Sequence, residues 1–137
     1  MTKPALRQCR ILTVDDVPDV CEAVKAMLAF DGHVVETAGS GKEALAMFER
    51  NKYDLIFVNY VMPVMEGDEL AAAIKARDPG QLVVMLTARA DMLRRRPTPL
   101  KHVDLILDKP FTLADLREAI AKVPGSRSTG GAEASEA

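Results

Sequence analysis

Residues 11–35 read ILTVDDVPDVCEAVKAMLAFDGHVV, and this stretch decides the fold. It opens with a short apolar run, Ile11–Val14, which Asp15 and Asp16 close. From Pro18 to Phe30 the spacing becomes helical, with Val20, Val24, Met27 and Leu28 on one face. Gly32 reads as the stop of that helix, and a second apolar pair, Val34–Val35, follows it. Strand, helix and strand in so short a span make one crossover unit of a parallel sheet.

The same alternation continues outward. Further apolar runs lie at Leu55–Val58, Leu82–Leu86 and Val103–Leu107. Between them, Ala44, Leu45 and Phe48 share a helical face, as do Leu70, Ala73 and Ile74, and later Leu116 and Ile120. Ser40 through Glu43 and Thr112 through Asp115 have the form of capping boxes, the second with Asp in place of the usual Glu. Pro79-Gly80 reads as the end of the third helix. Strand and helix thus repeat five times, and near-continuous apolar strands imply a parallel sheet covered on both faces. The fourth helical slot, Arg89 to Leu100, contains Pro97 and Pro99, so a short or distorted helix ending near Arg95 is expected.

The chain has 137 residues, a length that suits one domain with its own core. Hydrophobic residues make up 48% and charged residues 28%, which excludes wholesale disorder. Aromatics are 4% with no Trp, so the core is aliphatic and base-stacking surfaces are scarce. A net charge of −2 argues against a general nucleic-acid binder. Cys9 and Cys21 have no ligand spacing and read as small buried hydrophobes in a reduced compartment. No apolar run is long enough for a signal core or a membrane span, so a cytoplasmic protein without membrane contact is expected. His33 and His102 read as surface or loop residues, the seven Met mainly as core filler, and Arg94–Arg96 as a solvated face. Residues 1–8 form an N-terminal extension, 9–123 the domain, and 124–137 a polar tail expected to be disordered.

Ligands of open parallel sheets gather at the carboxyl ends of the strands. Those ends carry Asp15-Asp16, Asn59, Thr87-Ala88 and Asp108-Lys109-Pro110. Carboxylate and amide oxygens suit a hard cation such as Mg²⁺, and a hydroxyl with an ammonium suits a phosphoryl group.

These residues, with Asp54 to Gly67 (DLIFVNYVMPVMEG) and Asp108-Lys109-Pro110-Phe111, closely resemble the receiver domain of two-component response regulators. The resemblance covers about residues 9–123. It implies a doubly wound, flavodoxin-like α/β fold with a five-stranded parallel sheet in the order 2-1-3-4-5 and five helices. It also implies phosphoryl transfer from a sensor histidine kinase or phosphotransfer protein to the end of the third strand. Mg²⁺ would be held by Asp16, the side chain at 59 and the Val61 carbonyl, with Asp15 acting through water. Thr87 and Lys109 would bind the phosphoryl oxygens, and Thr87 would take part in the switch.

Two positions depart from the pattern. The acceptor is Asn59 where Asp is expected, and a neutral carboxamide is a poor nucleophile, so Asn59 should not accept phosphate and Mg²⁺ binding should weaken. The switch position three residues before Lys109 holds Ile106 rather than Tyr or Phe. Two origins of Asn59 stay open: a substitution introduced into a working receiver, or a natural pseudo-receiver that signals by binding alone. The polar tail holds no output domain, so output through contact with an unknown protein target is expected. A turnover enzyme and a nucleotide-binding protein are both disfavoured, because neither a catalytic nucleophile nor a Gly-rich loop after the first strand is present.

Overall fold

A computed structural model describes residues 8–124. Five strands, β1 (Arg10–Val14), β2 (Val34–Ala38), β3 (Leu55–Asn59), β4 (Val83–Thr87) and β5 (Leu105–Asp108), alternate with five helices. The helices are α1 (Pro18–Phe30), α2 (Gly41–Arg50), α3 (Gly67–Arg77), α4 (Ala90–Arg94) and α5 (Leu113–Ile120). All strand pairs are parallel and the sheet order is β2-β1-β3-β4-β5, as expected.

The two-residue period of a strand explains how one sheet feeds two cores. Ile11, Leu55, Phe57, Val84 and Leu86 point to one face, where Val24 and Leu28 of α1 and Leu116 and Ile120 of α5 cover them. Leu12, Val14, Ile56, Val58, Val83 and Met85 point to the other, under Ala44 of α2, Leu70 and Ile74 of α3, and Leu93 of α4. β3 and β4 are buried along their whole length, which is why their sequences read as unbroken apolar runs. The edge strand β5 is only partly buried and starts at Leu105, so Val103 precedes it, and Leu82 likewise lies just before β4.

Helix ends follow local chemistry. At the end of α1, Gly32 has φ +90°, its N–H donates to Ala29 O at 2.9 Å, and the His33 N–H donates to Leu28 O at 3.1 Å. That pair of bonds is a Schellman stop. At α5 the expected capping box forms, Thr112 and Asp115 each bonding the other's backbone N–H. At α2, Ser40 Oγ accepts from the Glu43 N–H, but Glu43 Oε1 reaches one residue further back to the Gly39 N–H. α4 is the short helix expected, closed at Arg95 before Pro97 and Pro99.

Both cysteines are buried. His33 lies in the loop before β2, as read, but not at the surface: it is buried, and its Nδ1 accepts from the Cys9 N–H at 3.0 Å, joining the entry to β1 with the entry to β2. His102 is exposed. The expected extension and tail fall outside the described residues except for Gln8 and Pro124. Among the described residues, no helix is long and apolar enough to cross a membrane.

Candidate functional site

The strand order reverses between β1 and β3, and at such a switch point the carboxyl ends leave a crevice. The Asp15 N–H bonds Ala38 O at 3.1 Å, extending the β1–β2 ladder by one residue before the chain turns into α1. Asp15 is thereby held at 3% exposure, with Oδ1 accepting from the Val17 N–H at 3.0 Å, whereas Asp16 is exposed. Across the crevice the Lys109 N–H donates to Thr87 O at 3.0 Å, fixing the turn that leaves β5. Its ammonium reaches back to Asp15 Oδ2 at 2.8 Å and Asn59 Oδ1 at 3.0 Å.

Asn59 is the last residue of β3 and is 9% exposed. Its Nδ2 donates to the Val61 carbonyl at 2.7 Å and to Asp16 Oδ1 at 3.4 Å. The donor and acceptor inventory fixes this orientation. Lys109 can only donate, so it must meet Oδ1; an ionised Asp16 and the Val61 carbonyl can only accept, so they must meet Nδ2.

The loop after Asn59 turns sharply. Val64 has φ +69°, and the Gly67 N–H donates to Tyr60 O at 2.8 Å as α3 begins. A Cβ on Gly67 would lie 2.2 Å from the Asn59 carbonyl oxygen, so only glycine lets α3 start directly over the site backbone. Sequence reasoning quoted Gly67 without giving it a role. A glycine opening a helix just after a polar strand end was the available signal.

Thr87 is buried, and its hydroxyl accepts from the Arg89 N–H at 3.0 Å at the start of α4. Ile106 is half-buried and packs into the core on the α2–α3–α4 side, while its carbonyl accepts from Arg94 Nη2. Arg94 also pairs with Asp108 at 3.2 Å, and Arg95 with Asp91 at 2.7 Å. Beneath the crevice the Cys21 thiol faces the carbonyls of Asp15, Thr13 and Ala38 at 3.5–3.8 Å. Burial pushes its pKa up, and the Asp15 charge adds to the effect.

The structure therefore brings Asp15, Asp16, Asn59, Val61 and Lys109 together, with Thr87 and Ile106 on the flank toward α4. A divalent cation needs oxygen lone pairs converging on one point. Here Asp15 is committed to Lys109 and the Val17 N–H, and Asn59 turns N–H groups, not oxygen, toward Asp16 and Val61. Among the described residues, no group of three His, Cys, Asp or Glu side chains is placed to hold a metal ion. As arranged, these groups do not fit Mg²⁺.

The 2-1-3-4-5 sheet with this crevice defines a flavodoxin-like protein with a receiver-type site. The chain belongs to the response regulator receiver domain family, which matches residues 11–121. Among curated proteins, the transcriptional regulatory protein PrrA of Mycobacterium tuberculosis is 35% identical over 127 residues, covering 90% of this chain and 54% of PrrA. The response regulator MprA of Mycobacterium leprae is 35% identical over 107 residues, covering 78% of this chain and 47% of MprA. The chain thus spans about half the length of these relatives. A solved structure of the response regulator TrrA from Thermotoga maritima, in complex with Mg²⁺-BeF, superposes with a TM-score of 0.76 at 32% identity, covering 83% of this chain and 97% of that one.

Proposed function

We propose that this receiver of two-component signalling does not take up a phosphoryl group while residue 59 is asparagine, and that its output is contact with another protein. The observation that carries this reading is the Asn59 carboxamide, paired on both sides at the acceptor position. Transfer from a phosphohistidine requires an oxygen at 59 to attack phosphorus as the P–N bond breaks. A carboxylate brings a charged lone pair and gives an acyl phosphate. The carboxamide oxygen is neutral, its electrons are delocalised into the C–N bond, and it is already held by Lys109.

The donor in this reading is a sensor histidine kinase or a phosphotransfer protein, and the target is a second protein rather than nucleic acid or membrane. The domain turns over no substrate of its own. Mg²⁺ accompanies BeF in the TrrA complex, and in this chain a role for it is expected only once a carboxylate is restored at position 59. A cytoplasmic setting accords with the family.

A second reading, a natural pseudo-receiver acting as a phosphorylation-independent adaptor, is favoured by Ile106 at the switch position. There an aliphatic side chain packs into the core beside α4. One experiment separates the two. The unaltered chain and N59D are incubated with Mg²⁺ and acetyl phosphate, and intact mass is followed. Gain of one phosphoryl group by N59D alone supports the blocked receiver. No gain by either chain favours the adaptor, and gain by the unaltered chain refutes the central statement of both.

A further inference from the structure

The Asn59 carboxamide makes contacts that a cation would otherwise make. Its two N–H bonds go to the Asp16 carboxylate and the Val61 carbonyl, both oxygens that carry negative charge or a strong dipole toward the same point. Left alone, two such oxygens at a crevice repel each other and draw in a positive partner. The –NH₂ group is that partner here, with one hydrogen for each oxygen. On its other side, Oδ1 shares the Lys109 ammonium with Asp15, so every polar atom of the carboxamide is paired.

We infer that Asn59 Nδ2 stands in place of the divalent cation in this chain, so that the crevice is held together without metal. The inference rests on reading the strand ends as a receiver pocket. A cation could enter only if the carboxamide turned over to offer Oδ1. That rotation would set –NH₂ against the Lys109 ammonium, donor against donor, and would give up the bonds to Asp16 and Val61 at once. The charge balance points the same way. Asp15 is matched by Lys109 at 2.8 Å, leaving Asp16 as the one uncompensated carboxylate among these groups. Metal affinity at oxygen sites follows the number of ligand charges. N59D removes the two N–H donors and adds a carboxylate, so it turns a filled crevice into a cation site.

The test measures metal binding directly. Mn²⁺ is titrated into the unaltered chain and into N59D, and free Mn²⁺ is followed by electron paramagnetic resonance, with Mg²⁺-dependent melting alongside. The unaltered chain should leave the free Mn²⁺ signal and its Tm unchanged up to millimolar metal. N59D should bind at least about tenfold more tightly and melt higher with Mg²⁺. Binding by the unaltered chain within about threefold of N59D overturns the inference and leaves the receiver reading standing. A folded N59D that binds no metal overturns both.

If N59D does not fold, the unaltered chain decides the matter. Its side-chain carboxamides are Gln8, Asn51, Asn59 and Gln81, few enough to assign by ¹⁵N NMR. The Asn59 –NH₂ should exchange slowly with solvent and should not shift with millimolar Mg²⁺. Exchange at the rate of a free carboxamide, or a shift on adding Mg²⁺, overturns the inference.

Discussion

Replacing Gly67 with alanine sets helix propensity against packing, and the two predict opposite signs. Gly67 is the first residue of α3, and in an unconstrained helix Gly→Ala is worth up to about 1 kcal/mol in favour of alanine. At this position the new Cβ would lie 2.2 Å from the Asn59 carbonyl oxygen, 2.9 Å from its carbon and 3.0 Å from Tyr60 Cα. Ordinary contact lies at about 3.5 Å, so the first distance is more than an ångström short. All three atoms are backbone, which cannot rotate away as a side-chain end can. The α3 start must therefore lift off β3, overpacking that costs about 1–3 kcal/mol, and the Gly67 N–H bond to Tyr60 O weakens, adding about 1 kcal/mol. Set against the propensity gain, this leaves a net loss of about 1–3 kcal/mol, or about 8 °C in Tm for a domain of this size.

Urea denaturation followed by circular dichroism measures the effect. Gly80→Ala serves as the control, because its Cβ would meet only Asp78 Oδ1 at 3.5 Å. A Gly67→Ala protein within about 0.5 kcal/mol of the unaltered chain would refute the close-approach argument.

Two further predictions concern charge. Lys109→Met strips the ammonium from Asp15, a carboxylate at 3% exposure, and should cost about 2–3 kcal/mol in urea unfolding. The double variant with Asp15→Asn should lose much less than the two single losses together; additive losses would mean that the pair is not coupled. At the opposite end of the sheet, the Tyr53 phenol first, and then Arg10, hold the Glu36 carboxyl below its ordinary range. A depressed folded-state pKa means that the unfolded chain takes up the proton more readily. The Glu36 contribution is therefore complete above about pH 4.5 and is lost as pH falls through the lower folded value. Urea midpoints between pH 3 and 6 should fall less steeply for Glu36→Gln, and an unchanged slope would show that Glu36 does not carry it.

The parts of this molecule that were legible in the sequence are those where one physical requirement acts along the chain. β3 and β4 are buried on both faces and announce themselves as apolar runs, and Gly32 marks the end of α1 because glycine readily takes the positive φ at which this helix closes. Pro97 and Pro99 bounded α4 for the same local reason. What was hidden depended on a partner distant in sequence. The burial of the loop residue His33 was hidden because its bond to Cys9 crosses between two strand entries. Gly67 carried no role in the sequence because its constraint comes from Asn59. The candidate site shows the same division. Residue types at the strand ends gave Asp15, Asp16, Asn59, Thr87 and Lys109, but which way the carboxamide faces is decided only once Lys109 stands opposite Val61.

The Arg94 guanidinium has a consequence beyond holding α4 to β5. Among the described residues β5 is an edge strand, paired only with β4, and an open edge can recruit a strand from another molecule. Here the Ile106 carbonyl is already taken by Arg94, and the same guanidinium is anchored by Asp108. A strand arriving from outside would have to evict a charged group from an acceptor in the middle of a four-residue strand. The short, arginine-braced edge thus guards the sheet against growing from one molecule into the next.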